Sequence, residues 1–118
     1  MAGTDQAGSM TDFSPLGVFE EQILVAVLRS GDDAFGMEVR REIERVTGRE
    51  LAIGAVYATL DRLEEKGMLT SRRIASETPT RRVFALSRRG AAALAETRAM
   101  RARLWAGVDV RRLAALAG

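Results

Sequence analysis

The stretch Gly54-Ala-Val-Tyr-Ala-Thr-Leu-Asp-Arg-Leu-Glu-Glu-Lys-Gly67 decides the fold. Val56, Leu60 and Leu63 recur at helical spacing and make one apolar stripe. Lys66 and Gly67 supply a basic last turn and then glycine, the usual end of a helix. At about 100° per residue, the face opposite the stripe carries Ala58, Asp61, Arg62 and Glu65, with Tyr57 and Thr59 on its flanks. A helix with one buried stripe and a small-residue start is built to lie on something.

Two helices are expected before it. Phe19-Glu-Glu-Gln-Ile-Leu-Val-Ala-Val-Leu28 ends in Arg29-Ser30-Gly31 and reads as a helix buried on most of its surface. Asp32 and Asp33 are candidate N-caps for a second helix over 35–47. There Val39, Ile43 and Val46 share one face, Arg40, Arg41, Glu44 and Arg45 point outward, and Gly48 stops the helix. After Gly67 the pattern changes. Residues 68–75 and 81–86 mix β-branched and polar residues as strands do, separated by the turn-type stretch Ser76-Glu-Thr-Pro-Thr80. Ser87 is a good N-cap for a long helix reaching about residue 108, and a short tail helix is expected from Val110 to Leu116. Three helices followed by a two-stranded ribbon is the winged helix-turn-helix arrangement, mainly α with a β-wing. Its third helix enters a major groove while the wing reaches toward the DNA backbone or minor groove.

Composition narrows the function. A chain of 118 residues suggests one domain, and its apolar share of 47% beside 29% charged residues is a globular balance. With no cysteine and no histidine, disulfides, thiolate metal sites and the commonest general base are all absent. No glycine-rich phosphate loop or ordered carboxylate pair replaces them, so neither a catalytic site, a metal site nor a cofactor is expected. A reducing cytoplasm suits such a chain. No run approaches the length of a membrane span, and residues 1–12 lack the basic and apolar regions of a signal peptide. The net charge is only +2. The cations are nearly all arginine, and Arg72, Arg73, Arg81, Arg82, Arg88 and Arg89 crowd one stretch opposed only by Glu77. Such a stretch is a usable footprint for nucleic acid. Residues 1–15 read as a flexible arm, 16–87 as the winged-helix unit and 88–118 as a C-terminal helix and tail.

The chain resembles the PadR family of bacterial transcription regulators. The resemblance is carried by Leu16-Gly17-x-Phe19-Glu20 with Ile23-Leu24, and by Gly31-Asp32-Asp33-Ala34-Phe35-Gly36 with Arg41-Glu42-Ile43. It continues through Ile53-Gly54-Ala55-Val56-Tyr57-x-Thr59-Leu60-Asp61-Arg62-Leu63-Glu64-x-x-Gly67 and ends on Phe84-x-Leu86-Ser87-x-x-Gly90. It implies a homodimer joined by the long C-terminal helix, and a repressor whose third helix reads a near-palindromic operator. The single long helix after the wing is similar to that of the small PadR subfamily. The wing departs from the family pattern: Pro79 stands near its tip, Val83 holds the first aromatic position, and Ser87 replaces the usual threonine.

Residue chemistry names the contacts. Gly54, Ala55 and Ala58 let the helix backbone approach double-stranded DNA closely, and the hydroxyls of Tyr57 and Thr59 suit phosphate oxygens. Arg62 suits a phosphate or a guanine edge, and Arg81 and Arg82 suit a narrow minor groove or phosphates. Each has a plainer reading: Tyr57 packing at the core edge, Arg62 paired with a nearby acid, the wing arginines merely solvated. Asp61 and Glu65 repel phosphate, so insertion is expected through the N-terminal half of the helix. Phe19, Ile23, Leu94, Arg101, Leu104 and Val108 are the expected dimer contacts, beside an alanine-rich side of the long helix. In multidrug-responsive relatives a tryptophan on this helix stacks on flat aromatic drugs. The resemblance therefore makes Trp105 a candidate contact for a small aromatic effector, against plain packing at the seam. The competing function is a winged helix that binds protein and not DNA; the basic wing and third-helix motif weigh against it.

Overall fold

The structure is a computed structural model, and it describes residues 16–31, 33–75 and 81–118. The expected arm at 1–15, the Asp32 cap and the wing tip with Pro79 lie outside the described residues. The elements are α1 (Val18–Arg29), β1 (Ala34–Phe35), α2 (Gly36–Thr47), α3 (Ile53–Glu65), β2 (Leu69–Ile74), β3 (Arg81–Leu86), α4 (Arg88–Ala106) and α5 (Val110–Ala117). The helix–helix–helix–ribbon–helix order read from the sequence is present.

One feature was not expected. Ala34 and Phe35 form a short strand that pairs antiparallel with Phe84 and Val83, so the described sheet has three strands in the order β1-β3-β2. Helix α2 consequently starts at Gly36, and its N-cap is Phe35 rather than an aspartate. The orphan N–H at that end is met from inside the helix: Glu38 Oε1 accepts the Phe35 N–H at 2.9 Å. Glu20 does the same for Gly17 at the start of α1, at 3.0 Å. Asp33, freed from capping, instead pairs with Arg72 of β2 at 2.6 Å. The other predicted ends hold. Gly48 closes α2 in the left-handed conformation, φ 73°. Ser87 caps α4, its Oγ accepting the Gly90 N–H at 3.0 Å and donating to the Gly67 carbonyl at 2.6 Å.

The core sits where α1, α2 and α3 meet the sheet. Ile23, Leu24, Val27, Val39, Val56, Leu60, Leu63 and Phe84 are completely buried there. Each such side chain contributes roughly 1.5–3 kcal/mol by leaving water. Gly90 locks the first turn of α4 onto this body: a Cβ there would lie 2.0 Å from the Met68 carbonyl oxygen. Helix α1 is less buried than expected, since Val18, Val25 and Leu28 are exposed, and Val46 of α2 is exposed too. Beyond Met100, every residue of α4 and α5 is exposed.

Candidate nucleic-acid interface

The stripe Val56, Leu60 and Leu63 fixes α3 against the core, and this leaves Gly54, Ala55, Ala58, Asp61, Arg62 and Glu65 exposed. At its start, Ala55 and Val56 are the first residues to donate to a helix carbonyl, both to Ala52. The N–H groups before them are left for an outside acceptor. A Cβ added to Gly54 would meet nothing within 4 Å. The first turn contains no acid, so its positive end is uncompensated. The N-terminal half of α3 is thus a bare, electropositive backbone edge.

Thr59 does not join that edge. It is 3% exposed, and its hydroxyl accepts from Arg62 NH2 at 3.3 Å. The stripe is one residue wider than the aliphatic pattern suggested, and Thr59 forms its fourth member. Arg62 itself leans toward α1, 3.8 Å from Glu20, which also accepts from Lys66 at 2.8 Å. Burial of Glu20 opposes ionisation. The hydrogen bonds from Lys66 and from the Gly17 N–H outweigh it, so this carboxyl titrates below the usual range. Tyr57 is half-buried and packs on the core, yet its phenol also reaches the start of α2. A Cβ on Gly36 would lie 2.4 Å from the Tyr57 Cζ and 2.5 Å from its Oη. Only glycine admits the ring there.

The two expected wing arginines separate. Arg82 turns inward: NH1 donates to Asp61 at 2.9 Å and NH2 to Glu64 at 2.8 Å, and its guanidinium lies 4.7 Å over the Phe84 ring. Ser71 donates to the same Glu64 at 2.7 Å. Arg82 thereby joins the wing to α3, and a DNA phosphate would have to compete with Asp61 and Glu64 for its charge. Arg81 stays exposed and rests on the Phe35 ring at 5.1 Å. It borders a hollow of about 530 Å³ beside Tyr57, shared with Arg41 of α2 and Arg73 of β2. The sequence placed Arg73 only within a basic stretch suited to nucleic acid, and Arg41 in no site. Strand register carried a usable signal for Arg73, because it pairs with Arg82 across the ribbon and so shares its face.

The expected dimer residues also separate. Ile23 (0% exposed) and Leu94 (9%) are core residues of the single chain, so they present no surface to a partner. Phe19 is half-buried against the same core. Arg101 reaches back to α1, its Nε 3.0 Å from Glu21 Oε1, and this pairing raises its pKa. Leu104, Trp105 and Val108 remain exposed, continued by Val110, Leu113 and Leu116 of α5. Among the described residues no group of acids could hold a metal ion, and no helix is long and apolar enough to cross a membrane.

Three helices, a ribbon after the third and a long helix behind them define a winged-helix protein. The chain belongs to the transcriptional regulator PadR-like family, whose sequence model matches residues 24–96. It is therefore a transcription regulator and not an enzyme. Solved structures of the same fold include a PadR-like transcription factor from Bacteroides fragilis, at 21% identity and TM-score 0.66, covering 85% of this chain and 91% of that one. RosR of H. salinarum matches at 24% identity and TM-score 0.64, covering 86% and 88%. Bacillus subtilis PadR, solved in complex with operator DNA, matches at 22% identity and TM-score 0.60, covering 70% of this chain and 46% of that one. No curated protein sequence matches.

Proposed function

We propose that the protein is a dimeric repressor acting in the cytoplasm, with residues 16–87 as the DNA-reading unit and 88–118 as the dimerisation element. The N-terminal half of α3 enters the major groove of a near-palindromic operator, and two copies read its two halves. The observation that carries this reading is the bare start of α3. Gly54, Ala55 and Ala58 are exposed there, free backbone N–H groups lie at the helix start, and Arg81 and Tyr57 flank it. Support comes also from the B. subtilis relative, which is held on operator DNA. Leu104 and Val108, with Phe19 at the edge, serve the dimer seam. Trp105, 53% exposed on the same helix end, receives a flat aromatic effector that releases the DNA.

The test is fluorescence anisotropy of the protein against duplex DNA from upstream of its own gene and against unrelated duplex, at two salt concentrations. A specific regulator binds the upstream duplex roughly a thousandfold or more tighter and weakens as salt rises. Equal, weak binding to both refutes autoregulation through that DNA. Absence of salt-dependent binding to any duplex refutes the DNA-reading role.

A further inference from the structure

At the hollow beside Tyr57 the start of α2, the middle of α3 and the outer ends of β2 and β3 converge. Four arginines line it, and only Arg82 has its charge met, by Asp61 and Glu64. Arg41 and Arg73 form no ion pair with any described residue, and Arg81 is held only by the face of Phe35. The one acid lining the hollow, Glu38, has an oxygen engaged by the Phe35 N–H. An unpaired arginine is not peculiar to this hollow, since Arg49, Arg98, Arg111 and Arg112 form no ion pair with a described residue either. None of those four lines it, however, and other arginines are matched. Arg29, Arg40, Arg45, Arg72 and Arg101 each lie against a carboxylate. Three guanidinium groups lining one hollow without an ion pair leave it positively charged, and an anion bound there offsets that charge. Their forked donors match phosphate oxygens.

We propose that Arg41, Arg73 and Arg81, with the Tyr57 hydroxyl, form a phosphate clamp that grips the DNA backbone where α2 and the wing flank α3. This rests on the DNA-reading role above, and to Tyr57 and Arg81 of that reading it adds Arg41 and Arg73. The occupant is a phosphate of a duplex and not a free anion. All three arginines are exposed, and a lone anion on exposed, hydrated cations gains little. A duplex phosphate arrives with a condensed counterion layer whose release drives binding. Tyr57, which lines the hollow, lies on α3 between Ala55 and Ala58, so a phosphate seated beside it borders the groove that α3 enters. Arg82 fixes the wing to α3 behind it, which holds Arg73 and Arg81 in place relative to Tyr57.

The test measures the salt dependence of binding for wild type, R41A, R73A, R81A and the triple variant, on the upstream duplex and on an unrelated one. Circular dichroism melting checks that each variant is folded. Each substitution lowers the slope of log affinity against log salt by about 0.9, and the triple variant lowers it by about 2.7. The losses are equal on both duplexes, because phosphates carry no sequence information. Arg112, an equally exposed arginine on α5, is the control, and R112A keeps the wild-type slope. A folded triple variant with the wild-type slope overturns the clamp while leaving the DNA-reading role intact. Loss confined to the upstream duplex overturns the phosphate assignment in favour of base reading. Inorganic phosphate that raises the melting temperature of wild type but not of the triple variant, with no change in DNA slope, makes the site a free-anion site and overturns it too. Wild type that binds no duplex overturns the role and the clamp together.

Discussion

Replacing Arg82 by methionine separates a wing arginine that holds the protein together from one that holds DNA. Methionine keeps most of the stem over Phe84 but removes the guanidinium that donates to Asp61 at 2.9 Å and Glu64 at 2.8 Å. Hydrogen bonds to charged groups contribute about 1.5–3 kcal/mol each when well shielded. Here the side chains of Asp61 and Glu64 are 54% and 35% exposed, so water screens both. A discounted figure of about 0.5–1 kcal/mol per pair follows. The two carboxylates then face each other three residues apart on α3, which adds a few tenths of a kcal/mol. The ring contact of Arg82 with Phe84 adds about 0.5 kcal/mol. The total is about 1.7–3 kcal/mol, or a fall in melting temperature of about 7–12 °C for a chain of this size. The assay is thermal unfolding by circular dichroism at fixed protein concentration, beside the salt slope of DNA binding. R82M loses stability and keeps the wild-type slope. E64Q gives a smaller loss, and the double variant falls short of the sum, because both disrupt one network. A wild-type melting temperature with a slope reduced by about 0.9 refutes the reasoning and returns Arg82 to the DNA.

Gly90→Ala puts a methyl group 2.0 Å from the Met68 carbonyl oxygen, a rigid backbone atom. Its cost is about 3 kcal/mol or more, read as a fall in melting temperature of at least about 10 °C, whereas Gly54→Ala, with open space around it, leaves stability nearly unchanged. Gly36→Ala collides with the phenol of Tyr57 and displaces it from the hollow. DNA affinity then falls on specific and unrelated duplexes alike while the far-ultraviolet spectrum is kept, and an unchanged affinity removes Tyr57 from the interface. Leu104→Glu charges an exposed apolar residue at the end of α4. On the proposed dimer, sedimentation shows a smaller species for this variant than for wild type, and a variant that sediments as wild-type dimer sinks that seam. The carboxyl of Glu42 is lowered to about 2 by hydrogen bonds from Arg45 and Arg29. Its folded pKa is below its unfolded value, so its contribution is full above about pH 4.5 and is lost as pH falls toward 2. Melting temperature against pH falls through that window, and E42Q flattens the fall; an equally steep fall in E42Q assigns the transition to other carboxyls.

How much of this was legible in the sequence depended on which force decided each feature. Helix α3, the ribbon, the cap at Ser87 and the short α5 were legible because periodic burial and local hydrogen bonding fix them within a few residues. Strand β1 was not, since two residues carry no period and become a strand only because Phe84 and Val83 lie opposite them. Thr59 was misread for a related reason: a threonine at a helical flank is polar by type, and its burial follows from how α3 sits on the core, not from its own chemistry. Ile23 and Leu94 show the reverse error, apolar residues assigned to a partner copy that the single chain already covers.

The arginines were the hardest residues to place, and the reason is general. A guanidinium on a long stem reaches several positions, and the carboxylates that compete for it come from other elements: Glu64 for Arg82 across 18 residues, Glu21 for Arg101 across 80. Charge density along the chain marks a basic stretch, but it counts Arg72, Arg73, Arg81 and Arg82 as equals. Folding sorts them. Arg72 goes to Asp33 and Arg82 to α3, while Arg73 and Arg81 are left beside Arg41, which lies about thirty residues upstream in a helix with a mixed-charge surface. The cations available to an outside anion are those that the fold fails to neutralise. That remainder is set by the register of β2 against β3 and by the seating of Tyr57 on Gly36, neither of which leaves a mark in local composition.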